Sequence, residues 1–175
     1  MRRLLSIWWL VMASLLTGIA TVAHADAVPE YEMKAAYLYN LATFTTWPAQ
    51  PGSTVKLCLL GKDHFSGALE RLTGYSASGV RITLSYLPNL QEARTCQILF
   101  IDGSEAANAA DIVKQVEKLP VLTVTDNLDL FRAGVIVGLF LDNRRLSFDV
   151  NYQLALNASL NMSSKLLRVA RNVNR

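Results

Sequence analysis

Histidine and cysteine are scarce in this sequence, which holds two of each in 175 residues. A structural zinc site needs four ligands, and the predicted mature chain keeps only the two cysteines and one histidine, His64. Nucleophilic triads need a base beside serine or cysteine, and no Gly-x-Ser-x-Gly elbow is present. These absences argue against a hydrolase or a zinc-stabilised domain. We expect no catalytic residue, metal or cofactor.

Nucleotide-binding signatures are also missing. Gly61-Lys62-Asp63 follows the first predicted strand, where a phosphate loop would lie, but it lacks the required glycines and the Lys-Ser/Thr ending. His64 is interpreted as a surface residue in the first turn of a helix. Asp126 and Asp129 flank Asn127 in a setting typical of turns and helix caps.

Charge is low, at 18% of residues, and 51% are hydrophobic, which excludes an intrinsically disordered chain. The formal net charge is +3 and falls to about +1 without Arg2 and Arg3. A charge that small gives no general attraction to phosphate backbones, so nucleic acid is not an expected partner.

The longest apolar run lies at the N-terminus. Met1-Arg2-Arg3 precedes the apolar segment 4–19, and Ala23-His24-Ala25 fits the small-x-small cleavage rule. We predict a signal peptide over residues 1–25, cut after Ala25, and a single domain over residues 26–175. A membrane anchor is the alternative, but no basic stop-transfer cluster follows. The mature protein is therefore expected in a bacterial periplasm.

Cys58 and Cys96 are the two cysteines. An even pair in an oxidising compartment favours one disulfide, and two buried free thiols are the alternative. Their separation excludes a Cys-x-x-Cys redox motif, so a structural bond is favoured over a catalytic one.

Apolar patterns predict alternating helices and strands. The first helix spans 29–44, with Met33, Ala36, Tyr37, Leu41 and Phe44 as its apolar stripe. Later helices are expected from Asp63 to Leu72, over 105–119 capped by Ser104, over 151–157 and over 163–172, with a short helical turn at 88–93. Strands are predicted over 55–60, 80–87, 97–101, 121–125, 135–141 and 145–150.

These elements predict an α/β fold of three layers. Fully apolar strands alternating with helices indicate a mixed, mainly parallel sheet with helices on both faces. The short loop 142–144 makes the last two strands an antiparallel hairpin, and a C-terminal helix follows. If the first and third strands are neighbours, Cys58 and Cys96 can approach each other across the sheet.

Several segments together resemble the YfiR family of bacterial periplasmic proteins. They occur in the family's order over nearly all of the predicted mature chain. The matching segments are 33–41 with Phe44 and Trp47-Pro48, 57–61 with Asp63 and Phe65, 96–101, 120–126, 146–151 and 163–170.

The resemblance implies a non-enzymatic regulator that binds the periplasmic sensory domain of an inner-membrane diguanylate cyclase and holds it inactive. Release raises cyclic di-GMP and promotes biofilm formation. The resemblance also implies an outer-membrane lipoprotein as a second partner. It further implies that the protein forms a homodimer. Cys58 and Cys96 match the family's bridge between two early strands. The second bridge of some relatives is absent, since residues 130–138 hold no cysteine.

Residues proposed to contact the partner are Trp47, Arg144 and Arg145 at the hairpin end, and Lys165 and Arg168 on the C-terminal helix. Tryptophan is enriched in interface hot spots, although core packing at the end of the first helix is the favoured explanation of Trp47. For Arg144 and Arg145 the alternative is that they are simply exposed to solvent at the tip of the hairpin. The basic face that Lys165 and Arg168 form with Arg171 and Arg175 also complements the helix dipole.

Two other function classes stay open. A small-molecule binding protein, or a ligand sensor for another membrane receptor, would use the carboxyl ends of the parallel strands near Gly61, Asp102 and Asp126. A thiol-based redox enzyme would need a reactive cysteine.

Overall fold

A computed structural model describes residues 29–49, 52–74, 79–143 and 145–174. Its α-helices are α1 (Glu30–Phe44), α2 (Ala68–Thr73), α3 (Ala109–Val116), α4 (Leu128–Ala133), α5 (Tyr152–Asn157) and α6 (Ser164–Val169). Its strands are β1 (Thr45–Thr46), β2 (Thr54–Leu60), β3 (Arg81–Leu87), β4 (Ile98–Ile101), β5 (Leu122–Thr125), β6 (Val137–Asp142), β7 (Arg145–Asn151), β8 (Asn161–Met162) and β9 (Asn172–Asn174). Two 3₁₀ helices span Leu90–Thr95 and Gly103–Asn108.

Seven strands form the central sheet in the order β3-β2-β4-β5-β6-β7-β9. All neighbours are parallel except β6 and β7, the predicted antiparallel hairpin. Every residue of β4 and β5 is buried, as expected for parallel strands covered on both faces. The predicted α/β fold class, with its mixed and mainly parallel sheet, is confirmed.

A hydrophobic core lies on each face of the sheet. The first contains buried side chains of α1, α2, α5 and α6, including Leu38, Leu69 and Leu166. The second contains side chains of the first 3₁₀ helix, α3 and α4, including Ile112 and Leu130. Helices therefore cover both faces, which gives the three layers that the sequence predicts.

The predicted disulfide between Cys58 and Cys96 is present, with Cα atoms 5.9 Å apart. β2 and β4, the first and third predicted strands, are neighbours as the prediction required. Both cysteines are buried in the second core. Because they are bonded to each other, the alternative of two buried free thiols is wrong.

The predicted apolar stripe of α1 is partly wrong. Ala36 is exposed and Phe44 is 38% exposed, whereas Lys34, Ala35 and Leu38 are buried. Nearly every position from 33 to 44 is apolar or aromatic, so spacing alone did not distinguish the buried face. The buried lysine is held by two carboxylates, as described below.

Three predicted helices start or end elsewhere. The segment from Gly103 begins as a 3₁₀ helix, and Asp102 rather than Ser104 caps it by accepting a hydrogen bond from the Ser104 N–H. Asp63 accepts from Phe65 N–H in a loop, and α2 begins only at residue 68, which leaves His64 in that loop. The C-terminal helix α6 ends at residue 169, and residues 172–174 pair in parallel with β7 instead.

No helix among residues 29–49, 52–74, 79–143 and 145–174 is long and apolar enough to cross a membrane. The predicted signal peptide and its cleavage site lie outside these ranges.

Candidate functional site

A groove opens between α1 and α6 over the β7 side of the sheet, with a volume of about 370 Å³. We call it the α1–α6 groove. Its lining consists of Tyr37, Asn40, Phe44, Phe148, Lys165, Leu166 and Val169. The ring of Phe148 is almost fully buried and meets the ring of Tyr37 edge-on at 5.7 Å. Six of the seven lining residues carry no charge, so the groove offers a mainly apolar surface.

Local pairing at the end of α1 fixes the two helices beside each other. β1 follows α1 directly and pairs with β8, with Thr45 opposite Met162. The Ser163 N–H donates to the Phe44 carbonyl at 2.8 Å. Ser163 then caps α6 by accepting from the Lys165 N–H. The groove is therefore held by backbone hydrogen bonds at one end.

Three large apolar side chains on this side of the molecule are exposed. Val169 is 71% exposed and Phe44 is 38% exposed. Leu141 is 44% exposed and lies two residues after the buried Leu139 along β6. Residues two apart in a strand share a face, so Leu141 points to the face of the first core. Exposed apolar side chains that lie together mark interaction sites in soluble proteins, and Phe44 and Val169 both line the α1–α6 groove.

Two cations lie on α6 beside this apolar surface. Lys165 and Arg168 are both exposed and occupy i and i+3 positions, which share one helix face. The helix, with the sequence SKLLRV, has no acidic residue. Arg171 does not extend this basic face, because it follows the end of α6 and donates two hydrogen bonds to the Asp149 carboxylate. That carboxylate raises the pKa of the Arg171 guanidinium.

The structure brings together only part of the predicted contact set. Lys165 lines the groove, and Arg168 lies on the same face of α6 one turn further along. Arg145 is exposed, but it precedes the buried Leu146 in β7 and so points to the opposite face of the sheet. Trp47 is 4% exposed and its Nε1–H donates to the Gln97 carbonyl at 3.0 Å, so core packing accounts for it. Arg144 lies outside the described residues.

A second concave surface, of about 450 Å³, lies at the carboxyl ends of β2, β4 and β5. We call it the switch-point cleft. Its lining consists of Glu30, Tyr31, Lys34, Lys62, His64, Asp102, Gly103, Ser104, Asp126 and Asn127. It is much more polar than the α1–α6 groove. Asp126 lies in it, whereas Asp129 is exposed in the first turn of α4, a helix that the sequence patterns did not predict and that Asn127 caps.

Lys34 occupies the α1 side of the switch-point cleft with only 3% of its side chain exposed. Its Nζ lies 2.6 Å from Asp126 Oδ2 and also contacts the Glu30 carboxylate. The Tyr31 hydroxyl donates to the same Asp126 oxygen at 3.0 Å. Burial and the Asp126 carboxylate raise the pKa of Tyr31, which keeps its proton on the phenol.

Asp102 follows β4 and is 3% exposed. Burial alone raises the pKa of this carboxyl, but hydrogen bonds from Ser104 and from the Lys62 N–H outweigh it and lower the pKa. His64 Nε2 lies 3.5 Å from Asp102 Oδ2, and the histidine is half exposed. Asp102 is therefore an ionised carboxylate that joins the loops following β2 and β4.

Gly61 makes the close approach of these two loops possible. Its φ is +96°, and an added Cβ would lie 2.8 Å from Ser104 Oγ and 2.9 Å from Asp102 Cβ. We expect Gly61→Ala to lower the free energy of unfolding by about 2–4 kcal/mol, through backbone strain plus overpacking. Chemical denaturation of the purified protein measures the change.

Gly52→Ala is the matched control, since Gly52 also has a positive φ, of +68°, but no atom within 4 Å of the added Cβ. We expect about 1 kcal/mol for this variant, from strain alone. Equal losses at the two positions would show that the contacts to Ser104 and Asp102 do not matter.

Among the described residues, no group of three or more histidine, cysteine, aspartate or glutamate side chains is placed to hold a metal. Neither cysteine of the chain is free. A reactive thiol would first require reduction of the buried bond, which does not support the thiol-based redox alternative.

Sequence reasoning missed most of the groove. Tyr37 and Phe44 were assigned to the core stripe, and Phe148 and Val169 were not distinguished from other apolar residues. Only the cations Lys165 and Arg168 gave a usable signal. The clustering of Tyr31 and Lys34 with Asp126 was also missed, since they are more than 90 residues apart.

Comparison with known protein families decides the identity of the domain. A family model described as YfiR/HmsC-like matches residues 31–171. The chain belongs to the YfiR/HmsC-like family. The predicted resemblance is thereby confirmed. Family membership supports a periplasmic regulator of cyclic di-GMP signalling, and the disulfide fits the oxidising periplasm.

A solved structure shows the same fold as this YfiR/HmsC-like chain at very low identity. A conserved domain protein from Vibrio cholerae O1 biovar El Tor matches with a TM-score of 0.57 and 8% identity. The match covers 83% of this chain and 60% of that one, so the chain spans well under the full length of that protein. An ABC domain in complex with L-Trp from Streptococcus pneumoniae reaches a TM-score of only 0.48 at 10% identity, over 68% of this chain and 55% of that one.

None of the curated proteins compared with this YfiR/HmsC-like chain matches it.

Proposed function

We propose that this protein is a non-enzymatic regulator that binds the periplasmic sensory domain of an inner-membrane diguanylate cyclase and holds it inactive. Binding lowers cyclic di-GMP and represses biofilm formation. Membership of the YfiR/HmsC-like family supports the signalling role. The observation that carries the proposal is the apolar α1–α6 groove with Lys165 and Arg168 beside it.

The chemistry of the groove specifies the partner's surface. Phe44 and Val169 expose apolar area that a partner's apolar side chains can cover, which is the main source of binding energy. Lys165 and Arg168 attract carboxylates at the edge of that contact and exclude basic partners. The complementary surface on the cyclase domain is therefore an apolar ridge flanked by aspartate or glutamate.

In this proposal the signal peptide over residues 1–25 directs the protein to the periplasm. Cleavage after Ala25 releases residues 26–175 into the periplasm as one domain, where they meet the sensory domain. An outer-membrane lipoprotein that covers the same groove would sequester the repressor and release the cyclase. A homodimer is a further proposal, which sedimentation of the exported protein tests.

We expect the double variant Lys165→Glu/Arg168→Glu to weaken binding to the isolated periplasmic domain of the cyclase by at least about tenfold. The reason is that two attractive charges become repulsive at the edge of the contact. Titration calorimetry of the disulfide-bonded protein with the domain measures the dissociation constant. Thermal unfolding of the variant should match the wild type, since both side chains are exposed.

Lys114→Glu/Lys118→Glu is the matched control. These lysines are also exposed, and they lie on and just after α3, on the other face of the sheet. The control should bind as the wild type does. Equal weakening by both double variants would mean that only net charge matters. If the wild type binds the sensory domain of a different membrane receptor and no cyclase domain, the assignment of the partner is wrong.

A further inference from the structure

β3 is an open edge of the central sheet. All seven of its residues pair in parallel with β2 on one side, and no described strand lies on the other side. Natural edge strands are usually protected by short length, a proline, a charge or a bulge. β9, at the opposite edge, has only three residues. β3 is longer, its register with β2 is continuous, and only its first residue, Arg81, is charged.

Backbone groups along this edge are available for pairing. The Arg81 N–H donates to the Ser53 carbonyl, so the backbone of Arg81 faces β2. Because successive residues of a strand direct their backbone groups to opposite sides, those of Ile82, Leu84 and Tyr86 face away from β2. No described residue forms a hydrogen bond with them. A further strand would find their N–H and C=O groups at the spacing of a β-ladder.

The side chains beside the edge select what such a strand carries. Ile82 is buried in the first core, so Leu84 and Tyr86, at alternate positions, point to the same face as α2. Leu84 is only partly buried and Tyr86 is 47% exposed. An incoming strand would place two alternate side chains beside them. An apolar side chain beside Leu84 would cover its remaining apolar surface.

Negative charge surrounds the Tyr86 hydroxyl. This hydroxyl lies 3.0 Å from Asp63 Oδ2 and also contacts the Glu70 carboxylate. A hydroxyl has a single proton and can donate to only one of them at a time. Neither carboxylate has an ion-pair partner among the described residues, and Arg71, the cation of α2, is paired with Glu32. A lysine or arginine of the incoming strand would neutralise this charge.

We propose that the β3 edge binds an extended segment of another protein by strand addition, with an apolar side chain beside Leu84 and a lysine or arginine beside Tyr86. In this mode backbone hydrogen bonds provide affinity and alternate side chains provide specificity. The recognised segment therefore has an apolar and a basic residue two positions apart. β3 lies far from β7 in the strand order, so this surface is separate from the α1–α6 groove and does not rest on the proposed repressor contact.

A second copy of β3 does not fit this pattern. Its only charged residue is Arg81, which is adjacent to the buried Ile82 and therefore points to the face away from α2. Pairing of two β3 strands would leave Tyr86 and its two carboxylates without a cation from the added strand. The complementary segment therefore belongs to a different sequence.

A synthetic peptide tests the proposal. It has seven residues, with threonine at every odd position and lysine, valine and lysine between them, and it is blocked at both ends. Because the sequence reads the same in both directions, a lysine lies beside Tyr86 in either orientation once valine lies beside Leu84. NMR titration of the exported, disulfide-bonded protein should give a dissociation constant of about 1 mM or tighter. The largest amide shifts should be those of Ile82, Leu84 and Tyr86.

Methylated peptides distinguish strand addition from simple charge attraction. One peptide is N-methylated on its valine and lysines, and the other on its threonines. Only one of these two sets of N–H groups faces β3 in a paired strand, so one peptide should bind at least about tenfold more weakly and the other should keep its affinity.

A variant locates the basic side chain. Glu70→Gln keeps the shape of an exposed side chain and should weaken binding of the lysine peptide several-fold without altering thermal unfolding. Glu117→Gln is the matched control, since it removes an exposed carboxylate just after α3, beside the second core, and should leave binding unchanged. A peptide with glutamate in place of both lysines should bind the wild type at least about tenfold more weakly.

Three results would overturn the proposal. One is no binding of the lysine peptide at about 5 mM. Another is equal binding of the two methylated peptides. The third is a set of concentration-dependent shifts at the β3 amides without peptide, which would make a second copy the occupant. The Lys165→Glu/Arg168→Glu variant should bind the peptide normally, so failure here and failure of the proposed repressor contact are separate results.

Discussion

Replacing Cys58 or Cys96 with alanine should lower the free energy of unfolding by roughly 4 kcal/mol in the chain-entropy model. The bond joins residues 38 apart in sequence, on β2 and just before β4, and so restricts the unfolded chain strongly. This is a large part of the ~5–15 kcal/mol typical of a whole domain. Urea denaturation of the oxidised wild type and of each variant measures the loss.

Reduction supplies the control for this prediction. A reductant should destabilise the wild type by a similar amount and should do little further to either alanine variant, because the bond is already absent. The Cys58→Ala/Cys96→Ala double variant should resemble the single variants. If reduction leaves the stability of the wild type unchanged, the bond does not stabilise the fold in the way we describe.

Lys34→Met should lower the free energy of unfolding by about 3–5 kcal/mol. The variant keeps a long apolar side chain against α1 and Tyr31, but it leaves the Asp126 carboxylate, 10% exposed, without its cation. Removing one member of a buried ion pair leaves an uncompensated charge, which is costly in a low-dielectric site. Urea denaturation at neutral pH measures the change.

The matched control is Arg71→Met, which removes the ion pair between Arg71 and Glu32. That pair also involves α1, but its side chains are 59% and 47% exposed. Exposed pairs contribute about 0–1 kcal/mol, so this variant should unfold nearly as the wild type does. The account of Lys34 is wrong if the two methionine variants lose the same stability.

The central sheet could be predicted because its strands carry a local signal. β4 is a short, wholly apolar run, and β5 is a short run of β-branched and apolar residues that follows Pro120. Runs of this length and composition are typical of buried strands. The hairpin of β6 and β7 followed from a loop too short for a crossover, and Asn143 adopts the left-handed conformation there. The disulfide followed from the even pair of cysteines in a chain predicted to be exported, and the family resemblance agreed with it.

The buried face of α1 could not be predicted in the same way. Its apolar residues surround the helix, so the choice of face depended on what α1 meets in the fold. Lys34 is buried because Asp126 lies opposite it, 92 residues further along the chain. A lysine in isolation predicts an exposed position, and only the tertiary pairing reverses that expectation.

The C-terminal segment shows a similar limit. Residues 163–172 have the spacing of an amphipathic helix, but α6 ends at Val169 and residues 172–174 join the edge of the sheet. The Arg171 pair with Asp149 and the backbone pairing with β7 decide the conformation. This change removes Arg171 from the basic face and leaves Lys165 and Arg168 as the cations beside the groove.

The candidate site could be predicted only by its charges. Phe44 and Phe148 line one groove, yet they are separated by most of the domain in sequence. Trp47 was proposed as a contact residue by its type, but its burial in the core removes it from the surface. Residue type predicts an anchor only when the fold leaves that side chain exposed.

Cyclic di-GMP measured in a deletion strain tests the central claim most directly. Deletion should raise the cytoplasmic level, and the wild-type gene should restore it. The Lys165→Glu/Arg168→Glu variant should fail to restore it while accumulating normally in the periplasm, whereas Lys114→Glu/Lys118→Glu should succeed. A level that deletion leaves unchanged, or that the groove variant restores fully, would contradict repression by contact through the α1–α6 groove.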